Sequence, residues 1–354
     1  MSVRYIGSKA RIVDPIMEIV GQPVDNGVFV DAFCGTGSVA EAAASSGWSV
    51  RVNDSLRCAV TIAGARLVNA EHAAFDTFGG YDSAVHRLNA MAGQPGFVWR
   101  EYSPAAATQA AVTKLPRRYF TEENAARVDA MRNAIAKWAA AGDLAPSEET
   151  LLLGDLLIAS TAVANIAGTF GCFLRQFAPN ALRPIELNAR RLYEGAVSVE
   201  TSSVDVYDVE AAPGDVVYFD PPYTKRQYAA YYHLLETIAC GDEPRVEGVT
   251  GLRPWKSKAS PFCYKTRALG ALSRLLAETP AERVLLSYSS EGHVPLDSLL
   301  DAASEVGVAT MHHLGEIGRY RPNQTASDRG QVVNEVVIEV VKSAVAGELV
   351  EAAA

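Results

Sequence analysis

The stretch that decides the fold is Gly27-Val-Phe-Val-Asp31-Ala-Phe-Cys-Gly-Thr-Gly37, in which a short apolar run passes directly into a glycine-rich loop. Residues 28–30 have the β-branched and aromatic character of a buried strand. A helical pattern then runs to Gly47, a residue type that often ends helices. A second apolar run, residues 48–52, leads to Asn53-Asp54. Strand, glycine loop, helix and strand together predict a βαβ unit.

The β pattern is interrupted in the middle of the chain. Ala-rich segments between about 71 and 185 predict helices, one over residues 121–141 that ends before Gly142 and one from 147 to about 168. Residues 55–69 also predict a helix. Further strands are predicted at residues 197–199, 216–219, 284–288 and 332–341. We therefore predict an α/β fold in which one sheet domain, residues 1–70 and 186–354, is interrupted by a mostly helical insertion over residues 71–185.

Composition excludes several classes of protein. The 354 residues include 49% hydrophobic and 21% charged side chains, which excludes a disordered chain. With 41 acidic and 32 basic residues the formal net charge is −9, so a uniformly basic nucleic-acid binder is excluded and any nucleic-acid contact must be local. The five cysteines are scattered without a CxxC pair, and the six histidines are dispersed. We expect no disulfide and no bound metal.

The chain carries no pattern typical of export or of the membrane. No apolar run suggests a signal peptide near Met1. Residues 151–168 are apolar enough to consider as a membrane span, but they contain Asp155 and Asn165, and a buried core helix is the better interpretation. We expect a cytoplasmic protein.

The glycine loop permits two interpretations. Gly35-x-Gly37-x-x-Ala40 satisfies a permissive dinucleotide pattern, with Asp54 placed to hold a ribose. Asp31 at the strand end would repel a pyrophosphate but attract the sulfonium or ammonium of S-adenosylmethionine. Charge therefore favours S-adenosylmethionine, with a nicotinamide dinucleotide or a simple tight turn as alternatives.

A second pattern, Asp220-Pro221-Pro222-Tyr223, directly follows the apolar residues 215–219, at the carboxyl end of a strand, where α/β sheets bind ligands. Prolines have no N–H donor, so Asp220 and the Pro221 carbonyl form an acceptor pair for an exocyclic amino group. Tyr223 offers a flat face on which a flipped-out base can stack. These four residues are the candidate catalytic residues. A capped proline turn would explain the bend but not the aromatic residue.

The order of the motifs carries a family resemblance. Tyr5-Ile-Gly-Ser-Lys9, Phe33-Cys-Gly-Thr-Gly37, the insertion and Asp220-Pro221-Pro222-Tyr223 follow one another along the chain. This order resembles the Dam-like, alpha-group N6-adenine DNA methyltransferases, and residues 215–236 resemble in particular the FokI type of modification methyltransferase. The resemblance implies a Rossmann-like S-adenosylmethionine-dependent methyltransferase sheet with residues 71–185 as the target-recognition insertion.

The same resemblance implies roles for single residues around cofactor and target. Asp220-Pro221-Pro222-Tyr223 would hold the target adenine, with Asp220 also bordering the cofactor. The remaining cofactor-site residues are Tyr5 and Lys9 at the border of the two pockets, Phe33, Gly35 and Gly37 at the methionine part, Asp54 at the ribose and Asp205 at the cofactor adenine. For Asp205, a solvated turn is an equally good interpretation.

Positive charge is concentrated in residues 251–277, which carry six basic and no acidic side chains. Aromatic residues interleave with them, as in a loop that follows a phosphate backbone and stacks near a displaced base. Solvated basic loops are the alternative. The basic candidates are Lys225, Arg226, Arg253, Lys256, Lys258, Lys265, Arg267, Arg274, Arg319 and Arg321, and the aromatic ones are Trp255, Phe262 and Tyr264.

These patterns predict transfer of a methyl group from S-adenosylmethionine to N6 of a flipped-out adenine in double-stranded DNA. A cognate restriction endonuclease is a possible partner. The alternatives are methylation of N4 of cytosine or of an amino group in RNA, since the acceptor pair recognises an amine, and a non-catalytic DNA-binding module that holds the cofactor.

Overall fold

The structure is a computed structural model that describes residues 7, 9–24, 27–106, 116–195, 197–317 and 333–342. The chain forms two compact units. The sheet unit comprises Gly7–Ser55, Val197–Gln227 and Ser260–Ala354, and the helical unit comprises Met1–Ile6, Leu56–Ala196 and Tyr228–Ala259. In addition to the predicted insertion 71–185, the helical unit thus includes residues 1–6, 56–70, 186–196 and 228–259, all of which the sequence analysis assigned to the sheet domain.

The sheet unit contains a seven-stranded sheet in the order β3-β2-β1-β4-β5-β7-β6. Strands β1 to β5 run parallel, while β7 pairs antiparallel with both β5 and β6. The strands are β1 (Val28–Asp31), β2 (Ser49–Asn53), β3 (Val199–Ser202), β4 (Val216–Phe219), β5 (Arg283–Ser289), β6 (Gly307–Ile317) and β7 (Val333–Lys342). The predicted α/β sheet is confirmed.

Helices occur in both units. Those of the described residues are α1 (Val13–Val20), α2 (Ser38–Ser45), α3 (Arg57–Arg66), α4 (Tyr81–Asn89), α5 (Phe97–Tyr102), α6 (Glu122–Ala141), α7 (Pro146–Ala162), α8 (Tyr228–Tyr231), α9 (His233–Cys240), α10 (Ala268–Glu278) and α11 (Leu296–Ser304). Within these ranges no helix has the length and apolar character needed to cross a lipid bilayer.

The predicted βαβ unit is present as β1, α2 and β2, with β1 and β2 parallel. Strand order reverses between β1 and β4, because the chain leaves β1 toward β2 on one side while β4 pairs on the other. Asp31, the last residue of β1, is in register with Tyr218 of β4. Such a switch point opens a crevice at the carboxyl ends of the strands, and both candidate motifs begin there.

The helical unit is held by a close helix crossing. An added Cβ at Gly154 of α7 would lie 2.4 Å from the Cβ of Ala65 in α3, so only a glycine permits this approach. The core around it is apolar and includes Leu152, Leu156 and Ile62, all fully buried. This packing explains why α3 belongs to the helical unit although it follows β2 directly.

The predicted helix over 147–168 is wrong at its end, because α7 stops at Ala162. The buried Asn165 explains the early end. Its Nδ2 donates to the carbonyls of Arg118 and Leu174, and its Oδ1 accepts from the backbone N–H of Ala178. These bonds hold the backbone in a loop. Phe170, which follows in this loop, is fully buried in the core of the helical unit.

Two strands differ from the prediction. β3 begins at Val199, where the predicted strand 197–199 ends, and two of its four residues are exposed. β6 was not predicted, because its sequence Gly-Val-Ala-Thr-Met-His-His-Leu-Gly-Glu-Ile has a weak apolar pattern. It becomes a strand by pairing with β7, where His312 Nε2 lies 2.9 Å from Glu339 Oε2.

Candidate active site

The candidate catalytic motif begins directly after β4 ends. All four residues of β4 are buried, so the strand anchors the segment that follows it in the core of the sheet unit. Pro221 is buried, while Asp220, Pro222 and Tyr223 are partly exposed. The ring of Tyr223 makes an edge contact with Tyr288 of β5, with 5.6 Å between centroids. The motif is thus fixed at one end by the sheet and on one side by an aromatic neighbour.

Four side chains of the sheet unit meet at this motif. The ammonium of Lys9 lies 3.2 Å from Asp220 Oδ1 and 2.9 Å from Glu335 Oε2. The same nitrogen lies 5.4 Å from the ring centroid of Tyr223, and the Tyr223 hydroxyl lies 3.4 Å from Glu335 Oε1. Lys9 and Glu335 are only 6% exposed, so their charges are compensated within the protein. We call Lys9, Asp220, Tyr223 and Glu335 the catalytic cluster.

Burial and charge set the protonation of this cluster. Burial raises the pKa of Asp220 to about 6, against the opposing effect of Lys9 and with a further increase from Glu335. Burial alone would lower the pKa of Lys9, but Asp220, Tyr223, Tyr218 and Glu335 outweigh it and hold that pKa well above its ordinary value. Lys9 is therefore a permanent cation, and Asp220 is mostly ionised at neutral pH.

Asp31 lies at the end of β1, the strand next to β4. It is 2% exposed, and its Oδ1 is buried without a hydrogen-bond partner among the described residues. Burial, followed by the charge of Asp220, raises the pKa of Asp31 to about 8, although backbone N–H groups of Ala40 and Phe33 oppose the shift. A buried carboxyl oxygen without a partner fits a ligand that brings a cationic donor.

The glycine loop after β1 needs its glycines. Gly35 and Gly37 have φ of 50° and 77°, in the left-handed region that favours glycine. Gly37 also precedes the first residue of α2. The backbone N–H of Gly35 donates to Asp54 Oδ2 at 3.2 Å, which ties the loop to the end of β2. Asp54 is thereby placed at the carboxyl end of a parallel strand, where a ribose-binding carboxylate is expected.

Phe33 and Asp205 have additional structural contacts. Phe33 packs edge-on against Phe219 and Phe262, with centroids 6.1 and 5.6 Å away. Asp205 is exposed and accepts a hydrogen bond from the backbone N–H of Tyr207 at 3.1 Å, at the start of a short 3-10 helix. Asp205 therefore has the hydrogen bond that its interpretation as a turn residue predicts. Its role in binding the cofactor stays a prediction.

The basic candidates fall into two groups. In the helical unit, Arg253 makes two hydrogen bonds to Asp242, and Lys258 bonds Glu236 at 2.9 Å. Lys256 is exposed. In the sheet unit, Lys225, Arg226, Lys265 and Arg267 are exposed, and Arg267 lies 5.3 Å from the ring centroid of Tyr264. Arg274 lies on α10 and pairs with Glu278.

The expectation that residues 251–277 form one loop with stacking aromatics is wrong in part. Residues from Ala268 onward form α10. Phe262 is 2% exposed and packs in the sheet-unit core, and Trp255 packs against the core of the helical unit. Tyr264, at 41% exposure, retains a surface for stacking.

Hydrogen bonds join two of the basic segments of the sheet unit. Gln227 exchanges two bonds with Ser260, at 2.8 and 3.1 Å. The backbone N–H of His293 donates to the carbonyl of Tyr223, and its Nε2 donates to the carbonyl of Cys263. The segment carrying Lys225 and Arg226 is therefore fastened beside the segment that leads to Lys265 and Arg267.

Three predicted residues, Tyr5, Arg319 and Arg321, lie outside the described residues. Sequence reasoning missed Glu335, which lies on β7, more than 300 residues from Lys9. A single carboxylate beside the apolar run Val336-Val-Ile338 was its only signal. Among the described residues, no group of three or more His, Cys, Asp or Glu side chains could hold a metal ion.

Comparison with known proteins decides the family. The model of the D12 class of N6 adenine-specific DNA methyltransferases matches residues 5–294. The chain belongs to this family. The match spans the glycine loop and the catalytic motif, and it confirms the resemblance inferred from the order of the motifs. Glu335 lies beyond the matched residues.

Several curated proteins resemble this D12-class chain. The Type II methyltransferase M.FokI of Planomicrobium okeanokoites is 34% identical over 298 residues, which are 82% of this chain and 45% of that protein. The modification methylase LlaI of Lactococcus lactis subsp. lactis is 32% identical over 96% of this chain and 55% of that protein. Type II methyltransferase M.NlaIII of Neisseria lactamica is 28% identical, covering 82% of this chain and 84% of that protein. The chain spans about half the length of the first two.

Proposed function

We propose that this chain transfers a methyl group from S-adenosylmethionine to the N6 amino group of an adenine in double-stranded DNA. The observation that carries the proposal is the placement of Asp220-Pro221-Pro222-Tyr223 at the end of β4, next to Asp31 at the end of β1. Within the part of the chain that the structure describes, one buried carboxyl oxygen of Asp31 has no hydrogen-bond partner. One crevice edge thus offers acceptors for an amine and a carboxyl for a cationic cofactor.

The residues at the end of β1 fit S-adenosylmethionine. When bound, this cofactor supplies an electrophilic methyl group on a positively charged sulfonium. We assign its ammonium to Asp31, whose buried Oδ1 has no partner in the described part of the chain, and its ribose to Asp54. Gly35 and Gly37 allow close approach of the backbone, and Phe33 would contact the methionine part. Asp205 is proposed for the cofactor adenine.

The catalytic cluster can orient an amino group and stabilise charge on it. Asp220 and the Pro221 carbonyl accept hydrogen bonds from the two N–H groups of an exocyclic amine, which turns its lone pair toward the methyl group. Positive charge develops on that nitrogen as the N–CH3 bond forms and the S–CH3 bond breaks, and the Asp220 carboxylate stabilises it. S-adenosylhomocysteine would be the leaving group, and the methylated nitrogen would then release one proton to water. Tyr223 supplies the stacking face. An amine paired inside a duplex cannot reach these groups, so the base must leave the stack.

DNA contact is proposed to rest on local positive charge. Lys225, Arg226, Lys265 and Arg267 are exposed, and hydrogen bonds fasten their two segments together after the catalytic motif. A chain with a net charge of −9 is expected to repel DNA phosphates at long range. The local patch of positive charge would attract the phosphates at the site of contact. Lys256 is exposed in the helical unit. We propose residues 71–185 of that unit for target recognition.

The biological setting is proposed from the relatives. Those named above are Type II methyltransferases or modification methylases. By analogy, this chain would modify sites that a cognate restriction endonuclease cuts. Such an endonuclease would fail on DNA from cells that express the active chain.

The activity is tested with methyl-labelled S-adenosylmethionine and duplex DNA, followed by digestion to nucleosides. We expect label in N6-methyladenine. Asp220→Ala should reduce the rate by about 10²–10³-fold, since one positioned electrostatic partner of the reacting group is removed. DNA binding should remain, and Asp301→Ala, an exposed carboxylate on α11, should behave like the wild type. Label in N4-methylcytosine, or label only in RNA, would contradict the proposal.

A further inference from the structure

Glu335 is a buried carboxylate at the catalytic motif that neither the motifs nor the matched family residues include. It lies near the start of β7, opposite Ser289 of β5, and is 6% exposed. β5 in turn pairs with β4, whose end leads into Asp220. The register therefore brings Glu335 to the same edge of the sheet as the catalytic motif. Burying a carboxylate is unfavourable unless its partners compensate the loss of hydration. The contacts of Glu335 therefore indicate its role.

The two oxygens of Glu335 hold two different members of the catalytic cluster. Oε2 accepts from the ammonium of Lys9 at 2.9 Å, and Oε1 lies 3.4 Å from the hydroxyl of Tyr223. Lys9 reaches Asp220 Oδ1 at 3.2 Å with the same ammonium. One carboxylate thus fixes both the cation beside the amine acceptor and the aromatic face that follows it.

We propose that Glu335 is a positioning residue for methyl transfer, which holds Lys9 and Tyr223 so that Asp220 keeps its acceptor capacity for the substrate amine. The inference rests on the proposed function. Without Glu335, the buried Lys9 would have Asp220 as its remaining carboxylate partner in the cluster and would commit its hydrogen bonds there. An Asp220 engaged in this way is a weaker acceptor for an amino group.

The net charge of the catalytic cluster also supports a role for Glu335 in methyl transfer. Two carboxylates and one ammonium leave a net negative charge beside a nitrogen that becomes positive during transfer. Replacement of Glu335 by a neutral residue would remove that excess. The charged or titratable neighbours that bear on Asp220 are Lys9 before α1, Asp31 on β1, Tyr218 on β4, Tyr223 after β4 and Glu335 on β7.

An ion pair that only stabilises the sheet should not affect methyl transfer, and β7 contains such a pair for comparison with Glu335. Glu339, four residues along the same strand, pairs with Arg283 at 2.8 Å and with His312 at 2.9 Å. It joins elements of the sheet as Glu335 does, but its partners lie outside the catalytic cluster. Glu339→Gln is therefore a matched control for the removal of a carboxylate from β7.

The first experiment needs neither cofactor nor DNA. In the cofactor-free protein with ¹³C-labelled aspartate carboxyls, the resonance of Asp220, assigned by its disappearance in Asp220→Asn, should titrate near pH 6. Glu335→Gln should move this midpoint to lower pH, because a neighbouring negative charge is removed while Lys9 stays. Glu339→Gln should leave it unchanged. An unchanged midpoint in a folded Glu335→Gln protein would overturn the proposal, whether or not the chain methylates DNA.

The second experiment measures methyl transfer per folded molecule. Glu335→Gln should lower kcat by about 10- to 100-fold through misplacement of the cluster, while the KM for DNA stays within about twofold. Glu335→Asp keeps the charge but shortens the reach, so it should keep the Asp220 midpoint near 6 and still lower kcat. If Glu335→Gln does not fold, Glu335→Asp decides alone. Wild-type kcat in either folded variant would overturn the proposal, and absence of transfer in the wild type would count against the proposed function only.

Discussion

At the scale of single residues, Asp31 gives the clearest indication of how the cofactor would bind. Its buried Oδ1 has no hydrogen-bond partner within the described ranges, and burial together with the charge of Asp220 raises its pKa to about 8. At neutral pH the group is therefore mostly protonated in the cofactor-free protein. A cationic ligand that favours the carboxylate must first displace that proton, so binding and ionisation are linked.

This linkage predicts how pH affects cofactor binding. Since the raised pKa keeps Asp31 neutral below about 8, affinity for S-adenosylmethionine should increase as the pH rises from about 6 to about 8. Asp31→Asn should bind more weakly and lose most of this dependence above pH ~7, where Asp220 is already ionised. Calorimetric titrations at several pH values measure both effects, with the exposed Asp208→Asn as control. An Asp31→Asn protein with the wild-type pH slope would remove Asp31 from the cofactor site.

At the scale of elements, the start of α3 depends on a side chain from α9. The buried Glu236 accepts from the backbone N–H groups of Arg57 and Cys58, at 3.2 and 2.9 Å, and pairs with Lys258. These bonds satisfy donors that a helix leaves open at its N-terminus. Burial would raise the pKa of Glu236, but the hydrogen bonds and Lys258 outweigh it and lower the pKa.

Removal of this carboxylate should destabilise the helical unit. Glu236→Gln should reduce the free energy of unfolding, measured by urea unfolding, by about 1.5–3 kcal/mol, the range for hydrogen bonds to a charged group. Because the folded pKa is lowered, the contribution is present above pH ~4.5 and disappears as the pH falls through the folded pKa. Glu243→Gln, which removes an exposed partner of Arg100, should change stability little. Equal destabilisation in the two variants would show that Glu236 has no special role.

Local patterns predicted some elements well and others poorly. The βαβ unit and α6 follow from short-range signals: a strand run before glycines, a Thr121 that caps α6, and Gly142 in the left-handed conformation after it. The end of α7 depends on bonds from Asn165 to three other backbone segments, and β6 depends on its pairing with β7. Such partners cannot be read from neighbours in the sequence.

The candidate active site also contains some residues that local patterns predicted and others that depend on distant partners. The catalytic motif and the glycine loop are contiguous and were visible in the sequence, and the sheet brings Asp31 and Asp220 to neighbouring strand ends. The place of Lys9 came from the family resemblance. Glu335 was missed because its partners, Lys9 and Tyr223, are separated from it by 326 and 112 residues.

At the scale of the whole molecule, the acidic chain localises its positive charge. Of the basic candidates, Arg253 and Lys258 are engaged with Asp242 and Glu236, whereas Lys225, Arg226, Lys265 and Arg267 are exposed in the sheet unit. Structural pairing thus separates basic residues that a count of charges treats alike.

This separation predicts the salt dependence of DNA binding. Neutralising Lys225, Arg226, Lys265 and Arg267 to Gln together should weaken binding and flatten the plot of log affinity against log salt by about 0.9 for each DNA phosphate that is no longer neutralised. Arg253→Gln should change the slope little. Fluorescence anisotropy with a labelled duplex at about 50–200 mM salt measures the slope of each variant. If the salt-dependence slope changed with Arg253→Gln but not with the four exposed substitutions, the proposal that these four side chains contact DNA would be refuted.

The most direct test of the central claim is to map modified bases in DNA from a methylation-free host that expresses this chain. We predict N6-methyladenine at one recurring sequence, with strongly reduced modification when the host expresses Asp220→Ala at the same level. Methylation on cytosine N4, or adenine methylation that stays at the wild-type level with Asp220→Ala, would contradict the account.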